Sequence, residues 1–173
     1  MDVDSFLNEI RSGGAYADQI VYTHKVGRRE ATYAQTKQPL SDAIKQMLTA
    51  SSIDQLYHHQ AAAIDILRSG KNVVVATGTA SGKSLCYQIP LIETLTDDPG
   101  AKAVLMFPTK ALCQDQFKAF DRALNAAGAD GVLAGVYDGD TPAPLRRKLR
   151  SSASVIFTNP DMLHAAIMSQ HGR

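Results

Sequence analysis

The apolar residues of this chain fall into short unbroken runs separated by longer amphipathic stretches. Val73–Ala76, Ala103–Phe107, Val132–Tyr137 and Ser154–Phe157 are continuous rather than alternating, the pattern of parallel strands covered on both faces. Between them, apolar positions recur at helical spacing and predict helices over Lys83–Thr96, Lys110–Ala127, Ala143–Arg150 and Asp161–Ser169. Pro90 lies inside the first of these and should kink it. Strand and helix in strict alternation imply an α/β fold, a doubly wound parallel sheet with right-handed crossovers.

The first part of the chain reads differently. A short helix fits Ser5–Arg11, stopped by Gly13 and Gly14, and Ile20–Thr36 reads as loop with room for one short strand. Pro39 introduces a helix over Ser41–Ala50 with Ile44, Met47 and Leu48 on one stripe. A further helix spans Leu56–Arg68, its apolar spacing set by Ala63, Ile64 and Leu67, with Gly70 as its stop. These patterns divide the chain into a short, mostly helical extension, residues 1–50, and an α/β domain, residues 51–173.

Composition narrows the picture. The chain has 173 residues, 45% hydrophobic and 20% charged, with a net charge of +1. That is ordinary for a globular domain and leaves any attraction to a polyanion to local patches. Cys86 and Cys113 have no metal-ligand spacing and read as small core hydrophobes, which fits a cytoplasmic location. No apolar run approaches the length of a membrane span, and the acidic start is unlike a secretory signal. The basic runs Lys25–Arg29 and Arg146–Arg150 suit either a nucleic-acid backbone or a solvated face.

The chemistry concentrates where the first predicted strand should turn into a helix, at Thr77-Gly78-Thr79-Ala80-Ser81-Gly82-Lys83-Ser84. Free backbone N–H groups at a helix start, reinforced by the helix dipole, cradle phosphate oxygens. Gly82 lets the backbone approach the phosphates, Lys83 supplies charge to the β- and γ-phosphates of ATP, and Ser84 offers a hydroxyl to Mg²⁺. Thr77 stands where the phosphate-loop pattern has glycine, so Gly78 is expected to take the strain of the first bend. Three more polar clusters end predicted strands on the same rim, where open α/β sheets bind ligands: Pro108-Thr109-Lys110, Asp138–Thr141 and Thr158–Asp161.

The ordered set Leu56-Tyr57-His58-His59-Gln60, Thr77–Ser84, Pro108–Leu112, Asp138–Thr141 and Thr158–Leu163 resembles the first RecA-like lobe of a superfamily 2 DEAD/DEAH-type helicase. More narrowly, it is similar to the RecQ-related helicases of the MrfA (YprA) type, implicated in DNA repair. The resemblance covers roughly residues 50–170 and implies an ATP-binding lobe of an ATP-dependent DNA helicase or translocase.

It implies that Gln60 reads adenine, since an amide donates and accepts at once, while Tyr57 stacks on the base. On residues alone, Gln60 reads as a solvated helix residue and Tyr57 as a core aromatic; His58 and His59 read as structural or exposed. Pro108, Thr109 and Lys110, with Asp140, Thr141, Thr158 and Asn159, correspond to loops that contact the nucleic-acid backbone. The implied partners are single-stranded or tailed duplex DNA and a second RecA-like lobe.

Phosphoryl transfer also needs a carboxylate pair near the metal, and no Asp-Glu dipeptide occurs in the chain. The chain is therefore expected to be the amino-terminal part of a larger enzyme, binding nucleotide weakly and lacking turnover alone. A P-loop kinase or signalling NTPase, and an inactive nucleic-acid-binding fragment, are the alternatives that the residues leave open.

Overall fold

The computed structural model describes residues 2–27 and 30–168. Arg28 and Arg29 of the first basic run, and residues 169–173 with the predicted end of the last helix at Ser169, lie outside the described residues. By contact, the chain divides into Met1–Ala31 and Thr32–Arg173.

In the smaller unit, helix α1 (Val3–Ser12) buries none of its residues. Lys25 pairs with Asp4 at 2.8 Å.

The larger unit is built on three parallel strands, β1 (Ala103–Met106), β2 (Ala134–Val136) and β3 (Val155–Thr158), in the order β1-β3-β2. Leu105 and Val136 both register with Phe157 on the central strand. The crossovers are α5 (Lys110–Ala126) and α6 (Ala143–Ser152). Before the sheet come α2 (Asp42–Ala50), α3 (His58–Arg68) and α4 (Ser84–Asp97).

Alternation along the strands sorts side chains to two faces. Val155 and Phe157 join the main core with Leu105, Phe117, Phe120 and the buried faces of α2 and α4. Ile156 points the other way, into a smaller cluster with Tyr137, Leu149 and Met162. Both faces of β3 are therefore covered, as a doubly wound sheet requires. Phe157 is fully buried and its ring lies 5.5 Å from those of Phe117 and Phe120; truncating such a side chain costs about 3–5 kcal/mol.

Local signals account for the helix ends. Ser41 caps α2 by accepting from the Ile44 N–H, and Ile44, Met47 and Leu48 are buried as their stripe predicts. Gly70, at φ +74°, closes α3 by donating to the Leu67 carbonyl while Lys71 donates to Ile66, the paired bonds of a Schellman stop. The contact division falls at Ala31/Thr32, upstream of α2, because the apolar stripe of α2 packs into the main core.

Four expectations need correction. Val73–Ala76 is extended, but among the described residues it pairs with no strand. Val74 is 94% exposed while Val73 and Val75 are half-buried. An apolar run supplies strand propensity, but the ladder makes the strand, and this segment finds no ladder partner there. The Val132–Tyr137 strand shrinks to Ala134–Val136, its flanks held by bonds from Ser154 and Val155 to the Leu133 carbonyl and from Tyr137 to the Phe157 carbonyl. The predicted strand ending at Phe157 runs to Thr158. The last helix starts one residue early, because Asn159 caps it and Pro160, lacking an N–H, suits the first position. After Met162 it widens into a π-helical turn over Leu163–Ile167. No described helix is long and apolar enough to cross a membrane.

Candidate nucleotide and nucleic-acid site

The phosphate loop lies at the head of α4 and is anchored by the head of α3. Gln60 is 2% exposed. Its Oε1 accepts from the Tyr57 N–H at 2.8 Å, and its Nε2 donates to the Gly82 carbonyl at 2.9 Å. One lone pair and one N–H remain for a ligand. The neighbouring His59 places Nε2 3.0 Å from the Ser81 carbonyl. Two successive residues of one helix therefore hold two successive carbonyls of the loop.

Within the loop, the Thr77 and Ser81 hydroxyls are 2.6 Å apart. Lys83 folds back across the loop, donating to the Thr77 carbonyl at 3.1 Å, to the Gly78 carbonyl and to Ser81 Oγ at 3.3 Å. The left-handed residues are Ala80 (φ +57°) and Gly82 (φ +71°), not Gly78. Gly82 falls just beyond the Thr77–Ser81 bridge, and Ala80 within the span that it closes. An alanine there costs about 1–2 kcal/mol against a right-handed residue.

Beyond the loop, Ser84 Oγ and Tyr87 Oη both donate to Gln116 Oε1 on α5, at 3.2 and 2.9 Å. Burial pushes the Tyr87 phenol up, outweighing the lowering effect of its polar neighbours Ser84 and Gln88. A cavity of about 420 Å³ opens here, lined by Val73, Val75, Lys83, Ser84, Phe107 and Gln116 among others. A second cavity, of about 500 Å³, adjoins the loop between Tyr33, Tyr57, Gln60 and Gly82. The Tyr33 and Tyr57 rings stack at 5.3 Å, and Tyr57 stacks on His59 at 5.7 Å.

The residues fit a magnesium nucleotide. A Cβ built at Gly82 would lie 2.5 Å from Gln60 Nε2, so only glycine keeps the anchored loop open. The Ser84 proton is directed at Gln116, which leaves the oxygen lone pairs free for a hard cation.

The other three clusters sit at the carboxyl ends of β1, β2 and β3. Thr109 caps α5 by accepting from the Leu112 N–H. Lys110 is exposed and pairs with Asp140 at 2.8 Å, which lifts its pKa above the ordinary lysine value. Asp138 is buried and holds its own turn. Its Oδ1 accepts from the Asp140 and Thr141 amides, and the Thr141 hydroxyl lies 2.9 Å away. Burial works to raise its pKa, but hydrogen bonds from the Thr141 hydroxyl, the Asp140 amide, Gln114 and the Thr141 amide together hold it below the usual carboxylate value. Thr158 is fully buried and donates to the Tyr137 carbonyl at 2.8 Å. Asn159 is buried and accepts from the Met162 N–H.

Of the predicted residues, Tyr57, Gln60 and Thr77–Ser84 converge on one locus, and Pro108, Thr109, Lys110, Asp140 and Thr141 line an adjoining rim. The side chains of Thr158, Asn159 and Thr141 are turned inward and shape that rim from below. The basic stretch on α6 hangs on Leu149, which packs so closely on Gly135 that a Cβ there would lie 2.5 Å from it. Cys86 and Cys113 are buried free thiols, both raised in pKa by burial. Sequence reasoning missed Tyr33, His59 and Gln116. Only His59 carried a signal, its place beside Gln60 at a helix start.

The DEAD/DEAH box helicase family matches residues 57–173. The chain is 37% identical over 165 residues to the ATP-dependent helicase YprA of Bacillus subtilis, covering 95% of this chain and 22% of that protein. It is 41% identical over 175 residues to the ATP-dependent helicase hrq1 of Schizosaccharomyces pombe, covering 99% of this chain and 16% of that protein. Among solved structures it is similar to the DUF1998 helicase MrfA bound to DNA and AMPPNP, with a TM-score of 0.86 at 34% identity over 99% of this chain and 24% of that one. The chain thus spans less than a quarter of the length of each of these relatives.

Proposed function

The chain belongs to the DEAD/DEAH box helicase family, and we propose that it is the lobe of an ATP-dependent DNA helicase or translocase that grips ATP and a DNA backbone. The observation that carries this reading is the anchored loop: Gln60 and His59 clamp the carbonyls of Gly82 and Ser81 just before the head of α4. A loop held from behind keeps its backbone N–H groups free for an anion.

In this reading the nucleotide's phosphates draw the Lys83 ammonium away from the carbonyls of Thr77 and Gly78. The base enters the cavity between Tyr33, Tyr57 and Gln60, where the spare N–H and lone pair of Gln60 match the N6/N7 edge of adenine. Ser84 is the hydroxyl that would hold Mg²⁺, which when bound neutralises charge on the triphosphate. ATP bridges this lobe and a second RecA-like lobe, and opening and closing of the cleft steps the bound strand.

Thr109 and Lys110 face that strand. Thr158, Asn159 and Asp138 hold the loops that present them. The MrfA structure, which contains DNA and AMPPNP, supports placing both ligands on this surface. A cytoplasmic location fits the two free thiols.

Calorimetric titration with Mg-ATP tests the reading. Lys83→Ala should weaken binding at least about tenfold, and full retained affinity overturns it. Crosslinking of single-stranded DNA to the Pro108–Lys110 and Asp140–Thr141 loops separates it from a P-loop kinase, which predicts none.

A further inference from the structure

We propose that Gln116 is a positioning residue for the metal-binding hydroxyl of the nucleotide site. The inference rests on the reading that the phosphate loop takes Mg-ATP. A serine hydroxyl has one proton and two lone pairs. To serve a cation it must send its proton to an acceptor on the far side, or the proton competes with the cation for space and charge. In this chain that acceptor is Gln116 Oε1, 3.2 Å from Ser84 Oγ.

The carbonyl end of the amide can only accept, so it sets the direction of the Ser84 proton. Tyr87 decides which end of Gln116 faces Ser84. Its phenol, pushed up in pKa chiefly by burial, remains a donor across the neutral range and takes the second lone pair of the same oxygen at 2.9 Å. With both hydroxyls donating, the amide nitrogen is turned away and Ser84 presents lone pairs only.

Gln116 belongs to α5, not to the phosphate loop. The helix that fixes the Ser84 proton is the one that begins at Lys110 on the polar rim. Gln116 lies six positions after Lys110, about 9 Å of helix rise. One rigid element therefore carries both the hydroxyl's acceptor and the lysine that pairs with Asp140.

The experiment measures ATP affinity of the full 173-residue chain by calorimetry, once with excess Mg²⁺ and once with EDTA, and reads the ratio of the two. In Gln116→Leu the acceptor is lost. The ratio should fall about five- to tenfold, the size of one hydrogen bond's contribution, with affinity in EDTA close to wild type. Gln116→Glu keeps an oxygen acceptor and should restore the ratio. Gln116→Asn has the same chemistry on a shorter stem and should behave as Gln116→Leu; it decides the matter if the leucine variant fails to fold.

A wild-type ratio in both Gln116→Leu and Gln116→Asn overturns the inference, as does equal loss with and without Mg²⁺. So does a wild-type chain whose affinity does not depend on Mg²⁺, an outcome that leaves the nucleotide reading intact. Lys83→Ala, run alongside, should weaken binding in both conditions; if it binds as wild type does, the nucleotide reading falls first and takes this inference with it.

Discussion

Gln60 Nε2 lies 2.9 Å from the Gly82 carbonyl, and a Cβ built on Gly82 would lie 2.5 Å from that same nitrogen. Helix α3 and the phosphate loop are therefore fitted to each other at one atom. The glycine is required twice, by its left-handed φ of +71° and by the amide packed against it.

Gly82→Ala should lower ATP affinity by at least about tenfold and cost about 1–2 kcal/mol of stability from backbone strain alone. Denaturant melts and calorimetry of the variant give both numbers. The second variant, Gly82→Ala with Gln60→Ala, removes the clash, so its destabilisation should be smaller than the sum of the single changes. Strict additivity would show that the two side chains do not meet.

Lys110 and Asp140 form an exposed pair at 2.8 Å across the two rim loops. Such a pair contributes little to stability, but the carboxylate competes with any phosphate for the lysine. Asp140→Asn should therefore strengthen binding of single-stranded DNA a few-fold at low salt. Lys110→Ala should weaken it and reduce the log–log salt slope by about 0.7, one phosphate's worth. Fluorescence anisotropy across a salt series checks both. Weaker binding by Asp140→Asn would assign that carboxylate a direct part in holding the strand.

Parts of the fold were legible because local signals and tertiary demands agree. The stripe Ile44, Met47, Leu48 and the stop at Gly70 work through neighbours a few residues away. The candidate loop Thr77–Ser84 could be picked out because such a loop is a contiguous string. The unreadable parts depend on partners distant in sequence. Whether Val73–Ala76 becomes a strand is decided by a ladder partner and not by its own residues. The inward turn of Thr158 depends on the Tyr137 carbonyl, 21 residues away. Gln116 meets Ser84 across 32 residues, and no spacing rule announces that meeting. Ala80 carrying the left-handed turn was unreadable for another reason: the chain spends strain there that propensity alone would place on Gly78.

The Asp138 turn predicts an acid response. Its carboxyl titrates below the ordinary value when folded and near about 3.9 when unfolded. A group with depressed folded pKa stabilises above its unfolded pKa, and that contribution is lost as pH falls through the folded value. Asp138→Ala should therefore cost about 1–3 kcal/mol at neutral pH. The gap in melting temperature between wild type and variant should hold steady from pH 7 to about 5 and narrow below about 4. A gap that widens on acidification would contradict the hydrogen-bonded carboxylate.

The two faces of β1 are unequal, which bears on how the chain behaves in isolation. Ala103 and Leu105 pack into the main core, whereas Val104 and Met106 are about half exposed, at 54% and 50%. Val74, on the extended segment that pairs with no strand among the described residues, is almost wholly exposed. Apolar side chains beside unpaired backbone N–H and C=O groups invite edge-to-edge association. The purified chain should therefore scatter light on warming and lack a sharp transition above about 50 °C. Val104→Thr combined with Met106→Lys should suppress the scattering, while removing no contact with the main core and so leaving the folded signal near its starting temperature. A monomeric wild-type chain with a sharp melt above that temperature would mean that these side chains are shielded in solution.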